Sequence, residues 1–218
     1  MTKTDKNLFK FSLYPYFMRA YILAFPERRW DNYLIPLAEE PLVRIVEQRL
    51  RMTKRIDGVY TIIRKGQLRR FSLHISNPVE VKAKNKIEAL YKVLPTSEEL
   101  FLVEGNMPLV MPFLVNYLST LFLDSDADAL IPSWSDGTLE VTHAFYDAKA
   151  LKSALEACLA ENERKLSCIA KYLDYETISI EELAKRNPKV TLSFFKIKSS
   201  FDLRFAEETL KKLERKEL

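Results

Sequence analysis

Short apolar runs alternate with segments of helical period along most of the chain. Runs bounded by proline, glycine or charged residues predict buried strands at residues 21–24, 59–63, 100–103 and 129–132, and alternating polarity predicts a strand with an exposed face at residues 138–146. Weaker extended patterns cover residues 68–76, 175–180 and 191–197. Apolar residues at helical spacing predict helices from Pro41 and at residues 87–94, 112–123, 147–161, 163–173 and 201–216.

Strands separated by helices are typical of βαβ units, in which parallel strands share one sheet and helices cover both of its faces. The sequence therefore predicts a three-layer α/β fold with a mainly parallel sheet. The two predicted helices at 147–173, beside the alternating strand at 138–146, indicate an antiparallel edge. Residues 20–218 are predicted to form one domain, and residues 1–19, outside the alternating pattern, an N-terminal extension.

The composition fits this fold and narrows the possible partners. A chain of 218 residues with 47% hydrophobic composition can bury a full core. The formal net charge of +4 is modest and does not by itself argue for nucleic acid as the partner, although an excess of lysine and arginine in residues 44–86 can attract phosphates. A solvated surface explains this excess equally well.

Cysteine usage and hydropathy bear on location. Cys158 and Cys168 lie in helix-like sequence without the spacing of a metal or redox motif, which favours reduced thiols in a cytoplasmic protein. No apolar run reaches the ~20 residues of a membrane helix, so no membrane span is predicted.

The loop after the first predicted strand is a candidate phosphate site, since ligands of such sheets bind beyond the carboxyl ends of the strands. Arg28 and Arg29 follow Ala24 closely, and guanidinium groups bind phosphate oxygens through paired hydrogen bonds. The loop contains no glycine, which hinders close approach of the backbone to a pyrophosphate. An alternative is a surface pair that bridges Glu27 and Asp31.

A second strand end raises a question about metal binding. The strand at 100–103 ends in Glu104-Gly105-Asn106-Met107-Pro108. Carboxylates are the usual protein ligands of Mg²⁺ next to nucleotide phosphates, and the amide of Asn106 is a poorer ligand that Glu104 could supplement. The alternative is structural, with Asn106 as a cap of the following turn.

A third candidate is the start of the helix near residue 86, which carries Lys82, Lys84, Asn85 and Lys86. Cations there oppose the positive end of the helix dipole, so they suggest a nearby anion; exposed lysines without a ligand are the alternative. His143 lies in the alternating run 139–146, where a structural hydrogen bond is predicted rather than metal binding.

The order of these pieces resembles a known family. ALIP at 129–132, DG at 136–137, HAFY at 143–146 and ERKL at 163–166 follow the order and spacing of the molybdenum cofactor guanylyltransferases, within the MobA-like nucleotidyltransferases. The resemblance runs from about residue 20 to residue 213. It implies a Rossmann-like sheet of the nucleotide-diphospho-sugar transferase type, GTP with Mg²⁺ as donor, and transfer of GMP to molybdopterin.

The chain departs from the family at the positions that handle the nucleotide. Arg28 and Arg29 match the arginine of a family loop whose glycines and lysine are missing here, and Asn106 replaces a metal-binding aspartate. The resemblance implies catalytic roles for Arg28, Arg29 and Asn106, and metal binding by Glu104 and Asn106. Residues implied to bind the nucleotide are Ala24, Lys84, Asn85, Lys196 and Lys198, the last two at positions of family asparagines.

The sequence leaves three functions open. An active nucleotidyltransferase would need lysines and arginines to supply positive charge where the metal is held weakly. A non-catalytic relative would keep the cleft and hold a phosphorylated cofactor or a partner protein. A nucleic-acid binder would use residues 44–86, but these lack a recognised module.

Overall fold

The computed structural model of the chain describes residues 17–27 and 32–215. Strands in these ranges are β1 (Met18–Ala24), β2 (Pro36–Leu37), β3 (Glu40–Pro41), β4 (Ile56–Arg64), β5 (Pro78–Val81), β6 (Glu99–Glu104), β7 (Ala129–Ser133), β8 (His143–Asp147) and β9 (Tyr175–Ser179). Seven of them form one sheet in the order β5-β4-β1-β6-β8-β7-β9, and β2 pairs with β3. The predicted extension falls largely on residues 1–16, outside the described residues.

Helices connect most of these strands. They are α1 (Leu42–Arg51), α2 (Leu68–Phe71), α3 (Lys86–Val93), α4 (Pro112–Asp124), α5 (Ala148–Ala160), α6 (Ile180–Arg186) and α7 (Ser200–Glu214). Two 3₁₀ helices, Leu166–Lys171 and Pro188–Phe194, complete the set within the described ranges. The predicted helices from Pro41 and at 87–94, 112–123, 147–161 and 201–216 are confirmed within one or two residues at most ends.

The sheet is mainly parallel, as predicted. β1 pairs in parallel with β4 and β6, β4 with β5, and β7 with β9. β8 runs antiparallel to both β6 and β7. It therefore lies inside the sheet and not at the predicted edge, because the chain returns through α5 to place β9 on the outer side of β7.

Both faces of the sheet are covered. Successive side chains of β1 are buried in alternate cores, one on each face. Ala20, Ile22 and Ala24 are buried in one core, and Tyr21 and Leu23 in the other. Side chains two residues apart share a face of a strand, so one strand contributes to both cores. Residues of α1 and α4 complete the first core and residues of α3 and α5 the second.

Two predicted strands are helical. Residues 68–76 contain α2, whose first turn is stabilised because the carboxylate of Glu80 accepts the N–H groups of Gly66 and Leu68, at 2.7 and 3.0 Å. Residues 191–197 contain the end of the second 3₁₀ helix, in which Val190 and Phe194 are buried at helical spacing. The sequence prediction missed β5, which is short and half exposed.

The predicted free thiols are also wrong. Cys158, in α5, and Cys168, in the first 3₁₀ helix, are joined by a disulfide across a sequence separation of 10 residues. The helix-like sequence around both residues concealed the pairing, because the chain reverses between them and brings the two side chains together. The bond ties the end of α5 to the segment that leads into β9.

As for membranes, none of the helices in residues 17–27 and 32–215 has the length and apolar character of a transmembrane span.

Candidate functional site

The candidate site lies where the carboxyl ends of β1, β4 and β6 meet. Since β8 runs in the opposite direction, the segment before it, which carries Glu140 and Thr142, reaches the same edge of the sheet. The segment between the second 3₁₀ helix and α7, with Lys196 and Lys198, lies beside it. Parts of the chain that are far apart in sequence thus meet in one cleft.

Glu104, the last residue of β6, is the centre of this cleft. Its Oε1 lies 2.6 Å from the Nζ of Lys86, and its Oε2 lies 3.7 Å from the Nζ of Lys196. The hydroxyl of Thr142 donates to Oε2 over 3.5 Å. Both oxygens of this carboxylate therefore face an ammonium group.

Glu140 extends the contacts on the far side of Lys196. Its Oε2 lies 2.8 Å from the Nζ of Lys196, and its Oε1 accepts the indole N–H of Trp134 at 2.9 Å. The side chains of Glu104, Glu140, Lys86 and Lys196 are 13%, 11%, 15% and 21% exposed. We call these four residues the ion network; its two positive and two negative charges balance.

Lys86 is held in place by the start of α3. The side chain of Asn85 caps this helix by accepting the N–H of Glu88 at 2.9 Å. The N–H of Lys86 itself donates to the Oε1 of Glu27 over 2.9 Å. A carboxylate of the protein thus sits at the positive end of α3, where a bound anion would be favourable.

The loop after β1 is filled by side chains. Phe25 is buried, and the guanidinium of Arg64 lies 4.5 Å from the centre of its ring. Arg64 also donates to the carbonyl of Pro26 at 2.9 Å. Gly105 is packed so closely that a Cβ there would lie 2.9 Å from the ring of Tyr33 and 3.2 Å from the Cβ of Ala24.

Asn106 holds the segment that carries Lys196. Its Nδ2 donates to the carbonyl of Ile197 over 3.1 Å, and its own carbonyl accepts the Ile197 N–H over 2.9 Å. The Oδ1 of Asn106 is buried and has no hydrogen-bond partner within the described part of the chain. The amide thus fixes the spacing between the end of β6 and the lysine segment, and does not cap the following turn as the structural alternative had it.

His143, the first residue of β8, is entirely buried below the ion network. Its Nε2 lies 3.3 Å from the hydroxyl of Ser193, which accepts the N–H of Met111 at 2.9 Å. Burial, and to a smaller extent the charge of Lys196, lower the pKa of His143 to about 3. The ring is therefore neutral at physiological pH, and the predicted structural hydrogen bond is confirmed.

An aromatic pocket of about 800 Å³ opens next to the ion network. It is formed by Trp134 beyond β7, by the segment that carries Lys196 and Lys198, and by the first turns of α7. Its wall residues include Trp134, Phe194, Lys196, Lys198, Phe201 and Phe205. Phe201 and Phe205 are 74% and 40% exposed, so the pocket presents aromatic surface to solvent.

A second, polar pocket of about 950 Å³ lies at the start of α3. Lys84 and Asn85 contribute to it, together with Glu27, Arg64, Glu163 and Arg164. Its cations and carboxylates are interspersed, so it has no single sign of charge.

The structure brings together only part of the predicted site. Glu104, Asn106 and Lys196 meet in the cleft, and Lys198 lies at the aromatic pocket. Lys84 and Asn85 lie at the polar pocket, and Ala24 is buried beneath Gly105. Arg28 and Arg29 lie outside the described residues.

Glu140 and Trp134 were missed as site residues. Alternating polarity placed Glu140 on the exposed face of a strand, whereas residues 139–142 form the approach to β8. The useful signal in the sequence was Glu140 itself, a charged residue close to the start of a strand that is otherwise apolar.

A divalent cation does not fit the described side chains of this cleft. Mg²⁺ requires several oxygen ligands at about 2.0–2.1 Å in near-octahedral geometry. The described residues contain no group of three or more histidine, cysteine, aspartate or glutamate side chains that could hold a metal ion. The carboxylate of Glu104 already faces two ammonium groups.

Comparison with known proteins gives one family. A family model described as "MobA-like NTP transferase domain" matches residues 28–176. A protein of Pyrococcus furiosus described as "Probable molybdenum cofactor guanylyltransferase" is 25% identical over 80% of this chain and 87% of its own. A Pyrococcus horikoshii protein with the same description is 29% identical over 79% and 88%.

Solved structures confirm the fold class. Molybdopterin-guanine dinucleotide biosynthesis protein A of Archaeoglobus fulgidus superposes with a TM-score of 0.73 at 22% identity, over 89% of this chain and 100% of its own. 4-Diphosphocytidyl-2C-methyl-D-erythritol synthase of Anaerococcus prevotii gives a TM-score of 0.65 at 17% identity, over 90% and 97%. These likenesses establish a nucleotide-diphospho-sugar transferase-like architecture.

Proposed function

The chain belongs to the MobA-like NTP transferase family, and we propose that it binds a phosphorylated aromatic ligand of the molybdopterin class without transferring GMP from Mg²⁺·GTP. The observation that carries this proposal is the pairing of Glu104 with the ammonium groups of Lys86 and Lys196. The ligand class is inferred from the names of the relatives. The loss of GMP transfer is inferred from the altered side chains of the cleft.

The argument against transfer rests on charge. Nucleotidyl transfer needs the metal to bridge phosphate oxygens and to neutralise the charge that develops on them. Here no excess negative charge is left in the ion network to attract Mg²⁺, because its carboxylates are balanced by lysines. The positive end of α3, a natural phosphate site, receives Glu27 instead.

The argument for binding rests on the aromatic pocket. Its volume of about 800 Å³ is typical of small-molecule sites. Phe201 and Phe205 offer exposed ring faces on which a flat heterocycle can stack. Lys198, which is exposed at the pocket, supplies a positive charge for a phosphate group.

Two measurements test the proposal. In a mixture of the protein, GTP, Mg²⁺ and molybdopterin, we expect no guanine dinucleotide above the level without protein, as measured by chromatography. In calorimetry with a phosphorylated pterin, we expect saturable binding. Dinucleotide formation in the first experiment, or absence of pterin binding in the second, would contradict the proposal.

A substitution locates the ligand. Phe201→Ala should weaken pterin binding about tenfold, because stacking on one ring is worth roughly 0.5–1.5 kcal/mol beyond its area. The matched control is Phe113→Ala on α4, a phenylalanine that is 46% exposed and is not among the residues that line the pocket. Equal affinities for the two variants would exclude the aromatic pocket as the binding site.

A second candidate is a guanylyltransferase that works without a metal. The ammonium groups of Lys86 and Lys196 at the strand ends favour it, since they place positive charge where phosphates would arrive. This enzyme would form the dinucleotide from GTP and molybdopterin in the presence of EDTA. The same assay, run with EDTA, therefore separates the two candidates.

A further inference from the structure

We infer that Lys196 is the resident cation of the cleft, and that its ammonium takes the place of a divalent ion between Glu104 and Glu140. The inference deepens the proposed function and rests on it, because the proposed function identifies the cleft as the ligand site. It adds one consequence: removal of this ammonium opens a divalent cation site.

The geometry places one ammonium between two carboxylates. The Nζ of Lys196 lies 2.8 Å from the Oε2 of Glu140 and 3.7 Å from the Oε2 of Glu104. The remaining oxygens have other partners, Trp134 for Glu140 and Lys86 for Glu104. The two oxygens that face Lys196 therefore point at one shared cation position.

Burial makes that cation necessary. Glu104 and Glu140 are 13% and 11% exposed, and two such carboxylates close together repel each other strongly unless a positive charge separates them. Lys86 compensates only one of them. Without Lys196 the ion network would carry an excess negative charge, which is the condition for recruiting a cation from solution.

The backbone holds Lys196 in this position. Ile197, the next residue, exchanges two hydrogen bonds with Asn106, through the backbone N–H and carbonyl of Ile197. The same turn that ends β6 at Glu104 thus fixes the segment that delivers the lysine. The position of the ammonium is therefore fixed by the backbone of the cleft.

The test is a titration with Mn²⁺, followed by electron paramagnetic resonance of the free ion, on the full chain without nucleotide or pterin. The wild-type protein should show no saturable site in the cleft. Lys196→Gln should bind one Mn²⁺ saturably, at least ~10-fold more tightly than any residual binding by the wild type, because the two carboxylates that face Lys196 lose the positive charge between them.

Two further variants control for charge and folding. Lys196→Arg keeps a cation and should bind no Mn²⁺, while circular dichroism verifies that each variant is folded. Lys211→Gln on α7 removes an exposed lysine that pairs with Glu207 on the surface, and should behave as the wild type. If Lys196→Gln does not fold, Lys86→Gln serves as the second variant, since it also removes an ammonium from Glu104.

The inference is overturned if a folded Lys196→Gln protein binds Mn²⁺ no better than Lys211→Gln, or if the wild type binds Mn²⁺ as tightly as Lys196→Gln does. Because no GTP or pterin is present, these results measure neither GMP transfer nor pterin binding, which the assays of the proposed function test separately. Conversely, GMP transfer by the wild type would refute the proposed function and leave the Mn²⁺ result intact.

Discussion

At position 106 the resemblance predicts a metal-binding aspartate, and the structure explains why an amide fits this chain better. The Nδ2 of Asn106 donates a hydrogen bond to the carbonyl of Ile197. An aspartate carboxylate has no N–H to donate and would face that carbonyl oxygen with a negative charge. The side-chain nitrogen of Asn106 therefore allows this residue to bind the segment that carries Lys196, whereas an oxygen at the same place would favour a metal.

This explanation predicts the effect of Asn106→Asp. The variant loses the hydrogen bond to Ile197 and places two oxygens against each other, so the free energy of unfolding should fall by about 1–3 kcal/mol. Urea denaturation at neutral pH measures the change. Asn116→Asp, at an amide on the surface of α4 that accepts the N–H of Lys54, is the control, because a carboxylate can still accept that bond.

A result in the other direction would be informative. If Asn106→Asp were as stable as the wild type and bound Mg²⁺, the amide would be a simple loss of a metal ligand and the contact with Ile197 would carry little weight. The sequence raised the question of residue 106 correctly. It could not supply the answer, because Ile197 lies 91 residues further along the chain.

At the scale of elements, the start of α3 shows how a predicted ligand site becomes a structural one. Lys84, Asn85 and Lys86 suggested a phosphate at the positive end of the helix. The structure places Asn85 as the N-cap, with Glu27 on the N–H of Lys86 and Glu88 on the N–H of Lys84. The anion that the pattern called for is supplied by the protein's own carboxylates.

The two interpretations of Asn85 give different outcomes for Asn85→Ala. Loss of an N-cap costs about 1 kcal/mol of stability, so the variant should unfold at lower urea concentration. Its affinity for a phosphorylated pterin should stay that of the wild type. Asn85→Ser, which can still cap the helix, should recover most of the stability. A loss of ligand affinity with unchanged stability would restore the prediction that Asn85 binds a nucleotide.

Elements with a strong apolar period were predictable, and short elements were not. The strands at β1, β4, β6 and β7 are apolar over most of their length, so period and length identified them. α2 and the second 3₁₀ helix depend on single partners, Glu80 for the first and Asn187 for the second, whose side chain accepts the N–H of Lys189. Partners of this kind leave no period in the sequence.

For the molecule as a whole, the fold class followed from the order of strands and helices, whereas the charges of the cleft did not. Several basic residues of the 44–86 stretch have partners within the protein. Arg44, Arg49 and Arg64 donate to the carbonyls of His74, Val110 and Pro26. Arg51 pairs with Glu47, and Lys86 pairs with Glu104. A count of charges cannot show such pairing. This internal use weakens the case for nucleic acid as a partner.

His143, buried with its ring against Phe101 and Phe194, contributes to the response of the whole fold to pH. Its folded pKa of about 3 lies below its usual value of 6.5. Below pH 6.5 the unfolded chain therefore binds a proton at His143 that the folded chain does not bind. The contribution of His143 to stability is complete above pH 6.5 and falls as the pH drops toward 3. At 1.36 kcal/mol per pH unit, the loss between pH 6.5 and pH 5 is about 2 kcal/mol.

Urea denaturation of the wild type and of His143→Gln at these two pH values isolates this contribution, since carboxylates change both proteins alike. We expect the wild type to lose about 2 kcal/mol more than the variant over this interval. The buried ring would then account for this part of the loss of stability in mild acid. Identical losses for the two proteins would mean that His143 accepts its proton in the folded state, which would require water to reach the ring beneath Lys196.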